Sequence, residues 1–296
     1  MPGRRWIVAN RYGMAPSIPM PDSMDLEAHS LLLPGGPMAY SLRRSARSRS
    51  LRVTIDPRRG VVVSIPLASR RGWAHPQRDV ERFLAAREPW LRRHLERFER
   101  QQAAVDARGG VIDGGMFRYL GELHRVRIVP APAGARRSGV ARFGADDGDE
   151  LHLILVRRDL DASADRRRPA AVLQTWLRLR ASAAIDRAVA GHAPGLGVTP
   201  TRITLRDTRS RWGSATRKGS ISLSWRLILA PPEALETVVI HELAHLREFG
   251  HGPGFWALVA ARRADHQVWR RWLRAHSLEL HAALDAPAAF DPALAG

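Results

Sequence analysis

Residues 231–256 read PPEALETVVIHELAHLREFGHGPGFW, and this stretch decides the interpretation of the chain. It contains the motif HExxH at residues 241–245. Residues four positions apart lie on one face of a helix, so both imidazoles can reach the same metal ion. Glu242 stands beside the first histidine, where its carboxylate can accept a proton from metal-activated water. The motif therefore predicts a helix that carries a metal site and a general base.

His251 is the candidate for a third ligand. Catalytic zinc sites use three protein ligands and keep one position open. In a continuous helix His251 would lie about 9 Å beyond His245, too far to share the ion, because each residue adds about 1.5 Å. We therefore expect the helix to end near Gly250 in a left-handed conformation, after which the chain turns and brings His251 back to the metal.

The same spacing occurs in metzincins, but two features argue against that class. Glu248 replaces the glycine of the metzincin motif, and all six methionines precede it, the last being Met116. The methionine turn that follows the third histidine in metzincins therefore has no counterpart.

Working outward from the motif, the sequence predicts an α+β protein. Leu235, Val238, Val239 and Leu246 give the metal helix one buried side. Upstream, alternating apolar residues predict two strands around a turn-rich segment, and Pro169 begins a long helix that ends near Gly191. Two short helices follow the motif, at 254–263 and 265–275.

The N-terminal half is rich in strand signals. A hairpin is predicted around residues 56–60, followed by a helix that Pro89 kinks or splits. A second β-rich stretch follows in two runs, 117–129 and 151–156, and the segment 131–150 between them is predicted to be mainly a loop. We predict four regions: an extension at 1–37, a β-rich region with one long helix at 38–160, a mainly helical zincin-like metal-binding core at 161–280, and a flexible tail at 281–296.

Composition narrows the class of protein. The chain has 296 residues, no cysteine and a formal net charge of +18. The lack of cysteine excludes thiol catalysis, disulfides and cysteine-ligated zinc, and it fits a reducing compartment. No apolar run reaches membrane-spanning length and no secretion signal opens the chain, so we expect a cytoplasmic protein that does not enter a membrane. The positive charge attracts polyanions. Lys218 is the only lysine, however, so a general preference for arginine explains the surplus better than phosphate contacts do, and a nucleic-acid partner is not favoured.

The wider block SRWGSATRKGSISLSWRLILAPPEALETVVIHELAHLREFGHGPGFW resembles the YgjP-like metallopeptidase family, relatives of the SprT-like zincins. The likeness extends upstream to RRSARSRSLRVTI, EPWL and FRYLGELHRV, and so covers roughly residues 40–275. It implies a β-rich region followed by a zincin-type core, with His241, His245 and His251 as zinc ligands and Glu242 as base. Ala215 and Ser224 depart from the family, which commonly has cysteine and asparagine there.

Several other residues have weaker candidate roles. Arg209 and Arg211 could stabilise a developing oxyanion, unless their loop is simply packed on the core through Trp212. We interpret Phe255 and Trp256 as core anchors. Three further histidines have no predicted ligand role: His266, His276 and His281.

Taken together, the sequence predicts a zinc-dependent hydrolase, in the first place a metallopeptidase acting on peptides or proteins. The strand around Ser220–Trp225 could pair with an extended peptide. One alternative is a metal-dependent nucleotide pyrophosphatase, and another is a nucleic-acid-associated protease module of the SprT-like kind. The pyrophosphatase would need at least two arginines to converge on the metal, from the set Arg43, Arg44, Arg47, Arg49, Arg209 and Arg211. The sequence leaves the oligomeric state open.

Overall fold

The computed structural model describes residues 7–8, 26–56, 60–69, 72–73, 75–145, 148–161, 167–208 and 211–284. The chain forms two compact units, residues 1–101 and 102–296. Strands on both sides of residue 130 share one core with the helices that follow residue 161. Strands come first and helices dominate the end, which confirms the predicted α+β class.

The first unit is a mixed five-stranded sheet with helices. Its strand order is β1-β4-β5-β3-β2, and β4 and β5 form the predicted hairpin with Asp56 opposite Gly60. Two of its strands lie within residues 1–37, the segment we expected to be an extension. The predicted helix is split at residues 86–87, just before Pro89. The elements are β1 (Ile7–Val8), β2 (Leu26–Leu33), β3 (Gly36–Arg44), β4 (Arg52–Asp56), β5 (Gly60–Ile65), α1 (Gln77–Ala85) and α2 (Glu88–Asp106), the last of which runs across the boundary.

The second unit begins with a four-stranded sheet of order β6-β7-β9-β8. Our prediction that residues 131–150 are mainly a loop is wrong in part, because residues 139–145 form the strand β8, which pairs with β9. Fully buried side chains of β9, such as Leu151 and Leu153, share one core with Leu173 and Leu177 of the long helix α4. That helix continues past Gly191 and ends at Leu196, five residues later than predicted. The elements are β6 (Met116–Tyr119), β7 (Glu122–Pro130), β8 (Gly139–Ala145), β9 (Gly148–Leu155), α3 (Arg157–Asp161) and α4 (Arg167–Leu196).

A small sheet and three helices complete the second unit. The sheet has the order β10-β12-β11, with β12 parallel to β10 and antiparallel to β11. A 3-10 helix at Trp225–Leu229 leads from this sheet into the helix that carries HExxH. The elements are β10 (Arg202–Arg206), β11 (Gly213–Ala215), β12 (Ser220–Ser224), α5 (Pro232–Ala244), α6 (Pro253–Arg262) and α7 (His266–Ala282).

The helix α5 lies at the centre of the second unit. Our expectation of a single buried side was too narrow, since its residues are buried around most of its circumference, from Ala234 to Ala244. A helix that is apolar all round belongs inside a core. Of the helices in the described part of the chain, none is both long enough and apolar enough to cross a membrane.

Candidate metal centre

The start of the metal helix is fixed by the turn between β6 and β7. The backbone N–H groups of Leu120 and Gly121 donate to the carbonyls of Ile228 and Leu229, both at 3.0 Å. Gly121 has φ +88°, and a Cβ there would lie only 2.7 Å from Cγ of Pro231. The turn therefore packs directly on the residue before α5, which explains why the FRYLGELHRV segment belongs with the metal helix.

The two motif histidines lie at the C-terminal end of α5. His241 is in its last turn, and His245 is the C-cap residue, directly after Ala244. Nδ1 of His245 donates to the Glu248 carbonyl at 3.1 Å, which leaves Nε2 as the free lone pair. This Nε2 atom is buried and has no partner within the described residues. A ring held by its other nitrogen and aimed with a free lone pair is the usual state of a metal ligand.

The chain turns back earlier than we predicted. The helix ends at Ala244 rather than near Gly250, and Gly250 is not in the left-handed region. Instead, the N–H groups of Leu246, Arg247 and Glu248 bond to carbonyls at the helix end, so a tightened turn closes α5. The reversal therefore begins directly after His245, and Gly250 needs no special conformation.

The turn after α5 is exposed, and it brings the His251 imidazole close to those of His241 and His245. Nε2 of His251 lies 3.3 Å from Nε2 of His241, and one nitrogen from each of the three rings lies within 4.8 Å of the others. Burial lowers the pKa of His241 to about 3, helped by the neighbouring His245, and burial also lowers the pKa of His245 and of His251. All three are thus neutral imidazoles at neutral pH, which is the form that binds metal.

These features fit a metal ion. Two closely facing ring nitrogens and one buried, unpartnered nitrogen form a donor set that a cation would satisfy. Three imidazoles with a fourth position open are typical of catalytic zinc. Phe255 lies beneath them, fully buried, with its ring centroid 4.4 to 4.8 Å from all three imidazole centroids. Our interpretation of Phe255 as a core anchor is confirmed, and its place in the core also supports the ligands.

Glu242 is buried beside this set. Its side chain is almost inaccessible, and Oε2 has no hydrogen-bond partner within the described residues. Burial raises the pKa of Glu242 to about 8, and the positive charge of Arg211 partly opposes that rise. A carboxyl group with its pKa near neutrality can both accept and release a proton under physiological conditions.

Space for Glu242 depends on Gly213. A Cβ at position 213 would lie 2.5 Å from Oε1 and 2.6 Å from Cγ of Glu242. Contacts shorter than 3 Å require one side to move, so any other residue at 213 would displace the carboxylate. The glycine of the SRWGSA segment is therefore a requirement of the site, one that we had not predicted.

The strand beside Glu242 corrects a second expectation. We predicted that the segment Ser220–Trp225 pairs with substrate, but β12 is the central strand and is already paired on both sides. The edge strands of this sheet are β10 and β11, and β11, which contains Gly213, is the one beside Glu242; within the described residues it has no strand partner on its other side. We missed it because it has three residues, Gly, Ser and Ala, that carry almost no strand signal.

The structure describes only one of the two arginines that we predicted to stabilise an oxyanion. Arg209 lies outside the described residues. Arg211 is half-buried and close enough to Glu242 to influence its pKa, and its carbonyl accepts a hydrogen bond from Thr208. Trp212 packs against the core and stacks on His281 with a centroid distance of 4.3 Å.

The N-terminal arginines belong to the first unit and have local partners there. The guanidinium of Arg43 donates to Ser64, and that of Arg44 donates to the Trp73 carbonyl. We infer no metal-directed role from these contacts.

Trp256, His266 and Arg270 form a cluster near the proposed ligands, and we had not predicted that these three residues lie together. The Trp256 ring lies 5.8 Å from the rings of both His241 and His251, between centroids. His266 stacks on Trp256 at 5.4 Å, and Cζ of Arg270 lies 4.2 Å from the same ring centroid. The available signal was the spacing of His266 and Arg270, which are four residues apart and share a helix face.

Comparison with known proteins agrees with this geometry. The family model described as YgjP-like, metallopeptidase domain, matches residues 49–276, which includes every residue of the centre. No curated protein and no solved structure matches the chain significantly.

Proposed function

This chain belongs to the YgjP-like family, and we propose that it is a zinc-dependent metallopeptidase with His241, His245 and His251 as the ligands and Glu242 as the general base. The observation that carries this proposal is the convergence of three neutral imidazoles beside a buried carboxyl group. That combination is what hydrolysis by a metal site requires: a donor set with an open position and a proton acceptor next to it.

Each group of the proposed site has a role that follows from its chemistry. When bound, zinc supplies a Lewis acid that polarises a carbonyl and lowers the pKa of water. Glu242 accepts the proton of the attacking water and transfers it to the leaving amine. Arg211 favours the ionised form of Glu242, since its charge opposes the effect of burial on that pKa. We also keep Arg209 and Arg211 as proposed contacts to developing negative charge.

A peptide substrate is favoured by the free edge of β11. Ser224 N–H donates to the Trp212 carbonyl, and Thr216 N–H donates to the Ser220 carbonyl. Because backbone groups alternate in direction along an antiparallel strand, those of Gly213 and Ala215 point away from β12. An extended peptide can pair with these groups, which would place its backbone next to Glu242.

The test joins metal analysis with a cleavage assay. Purified protein should contain about one zinc per chain and cleave an unstructured protein such as casein. Glu242→Gln should keep the zinc and lose cleavage by at least about 100-fold, the usual contribution of a general base. Glu233→Gln is the matched control, since it makes the same change at the other end of α5 and should leave both properties unaltered. Cleavage by Glu242→Gln near the wild-type rate would contradict the assignment.

The same preparations should be assayed on nucleoside triphosphates. Release of pyrophosphate that depends on Glu242, without any peptide cleavage, would replace the peptidase by a nucleotide pyrophosphatase. A nucleic-acid-associated protease would instead show cleavage that DNA stimulates, with binding that weakens steeply as salt increases.

A further inference from the structure

A positively charged side chain stands beside the metal ligands without a described role. Arg270, on α7, lies over the ring of Trp256, with 4.2 Å between its Cζ and the ring centroid. The same indole ring lies 5.8 Å, between centroids, from the imidazoles of His241 and His251. The guanidinium and two of the three proposed metal ligands therefore lie around one aromatic ring.

The charge of Arg270 has no counter-ion in the described part of the chain. Its guanidinium is half-buried, and the charged group that acts on it most is another cation, Arg274. The carboxylate of nearby Asp265 is committed elsewhere, since it accepts from Nε1 of Trp269 at 2.7 Å and lies 3.6 Å from Arg263. A partly desolvated cation without a partner is unfavourable by itself and is stabilised when an anion binds.

The surroundings of Arg270 suit a planar anion. The guanidinium lies over the Trp256 ring, and an arginine side chain can present parallel N–H donors to a carboxylate. His266 stacks on the same indole ring at 5.4 Å and is buried. Its Nδ1 atom is also buried and has no partner within the described residues. A second polar atom thus lies unsatisfied next to the cation.

We propose that Arg270 binds a carboxylate of the peptide substrate next to the metal centre. The inference rests on the proposed function and specifies it: the preferred substrate carries a carboxylate close to the scissile bond. Two sources share this chemistry. One is the free C-terminus of a peptide, and the other is an acidic side chain within it.

Binding measurements separate the two sources. The probe is a set of four short peptides of one sequence, with either Glu or Gln at the central position and either a free C-terminus or a C-terminal amide. Binding is measured calorimetrically to zinc-loaded Glu242→Gln protein, which cannot turn the peptides over. At least one of the two carboxylates should strengthen binding by about tenfold or more, the value of a hydrogen bond to a charged group.

The increase in peptide affinity that a carboxylate gives should depend on Arg270. Adding Arg270→Gln should abolish it, and Arg270→Lys should restore part of it, because the charge returns without the two parallel donors. Arg271→Gln is the matched control, since Arg271 is the exposed neighbour on the same helix and loses the same charge. A carboxylate gain that persists in Arg270→Gln, or no gain in the parent protein, would overturn the inference.

Failure of this inference differs from failure of the proposed function. If wild-type enzyme cleaves peptides through Glu242 but ignores their carboxylates, the inference fails and the peptidase stands. If carboxylates bind through Arg270 and no peptide is cleaved, the proposed metallopeptidase function is contradicted, whereas the proposed carboxylate site is supported. Binding of inorganic phosphate that requires Arg270, without carboxylate binding, would overturn the proposed ligand class.

Discussion

The three histidines of the proposed metal centre come from two segments in opposite environments, the helix α5 and the segment 246–252. His241 and His245 belong to a helix that is buried around most of its circumference. His251 comes from a turn in which residues 247–252 are all exposed. We therefore expect a rigid half, fixed by the core, and an adjustable half, in which the His251 ring contacts Phe255 and Trp256 while the turn that carries it is exposed.

The largest difference is expected in metal affinity. Loss of a residue that only hydrogen-bonds to a metal ligand typically weakens metal binding by roughly 10–100-fold. His241→Ala removes a proposed ligand itself and should weaken zinc binding by more than that. His251→Ala should weaken it less, because water can enter an exposed position and replace the lost ligand. Competition with a chelating dye gives both affinities, and His152→Ala, on the second sheet, is the control. Equal losses for the two variants would mean that the exposed turn is as rigid as the helix.

The next difference is in stability. Ile240→Ala should lower the free energy of unfolding by about 2–5 kcal/mol, since it removes a side chain buried in the core. Phe249→Ala, in the exposed turn, should cost about 1 kcal/mol or less, because the loss there is one exposed contact with Arg217. Urea denaturation of metal-free protein followed by tryptophan fluorescence gives both values. Similar costs at the two positions would contradict the division into a rigid and an adjustable half.

The smallest expected effect is the difference in kcat between alanine substitutions at Gly213 and at Gly250. Gly213→Ala should lower kcat about tenfold to 100-fold and leave the zinc content unchanged, because the new Cβ displaces Glu242, whose role is worth at least about 100-fold. Gly250→Ala should change little, since the nearest atoms to its added Cβ are 3.9 Å away. Steady-state kinetics and elemental analysis measure both. Normal activity of Gly213→Ala would show that Glu242 can move freely and that the short contact is unimportant.

Sequence reasoning succeeded where chemistry depends on spacing along one element. The pair His241 and His245, with Glu242 between them, follows from the helical repeat, and the structure brings these histidines together with His251. The hairpin with Asp56 opposite Gly60 and the helix break before Pro89 were also confirmed, since both depend on local backbone preferences.

The parts that failed depend on partners distant in the chain. Gly213 lies 29 positions before Glu242, and no local pattern indicates that a glycine there makes room for a carboxylate. The end of α5 was misplaced because His245 bonds to the Glu248 carbonyl, a contact that a search for a terminal glycine does not reveal.

The residue types of the HExxH motif and their helical spacing were enough to propose two metal ligands and a proton acceptor on one helix. Three other features depend on the folded chain: β12 lies at the centre of its sheet and β11 at an edge, Glu242 is buried against Gly213, and Arg270 lies over Trp256 near the proposed ligands. The physical reason is that these properties are set by burial and by packing between elements, which the order of residues within one element does not specify.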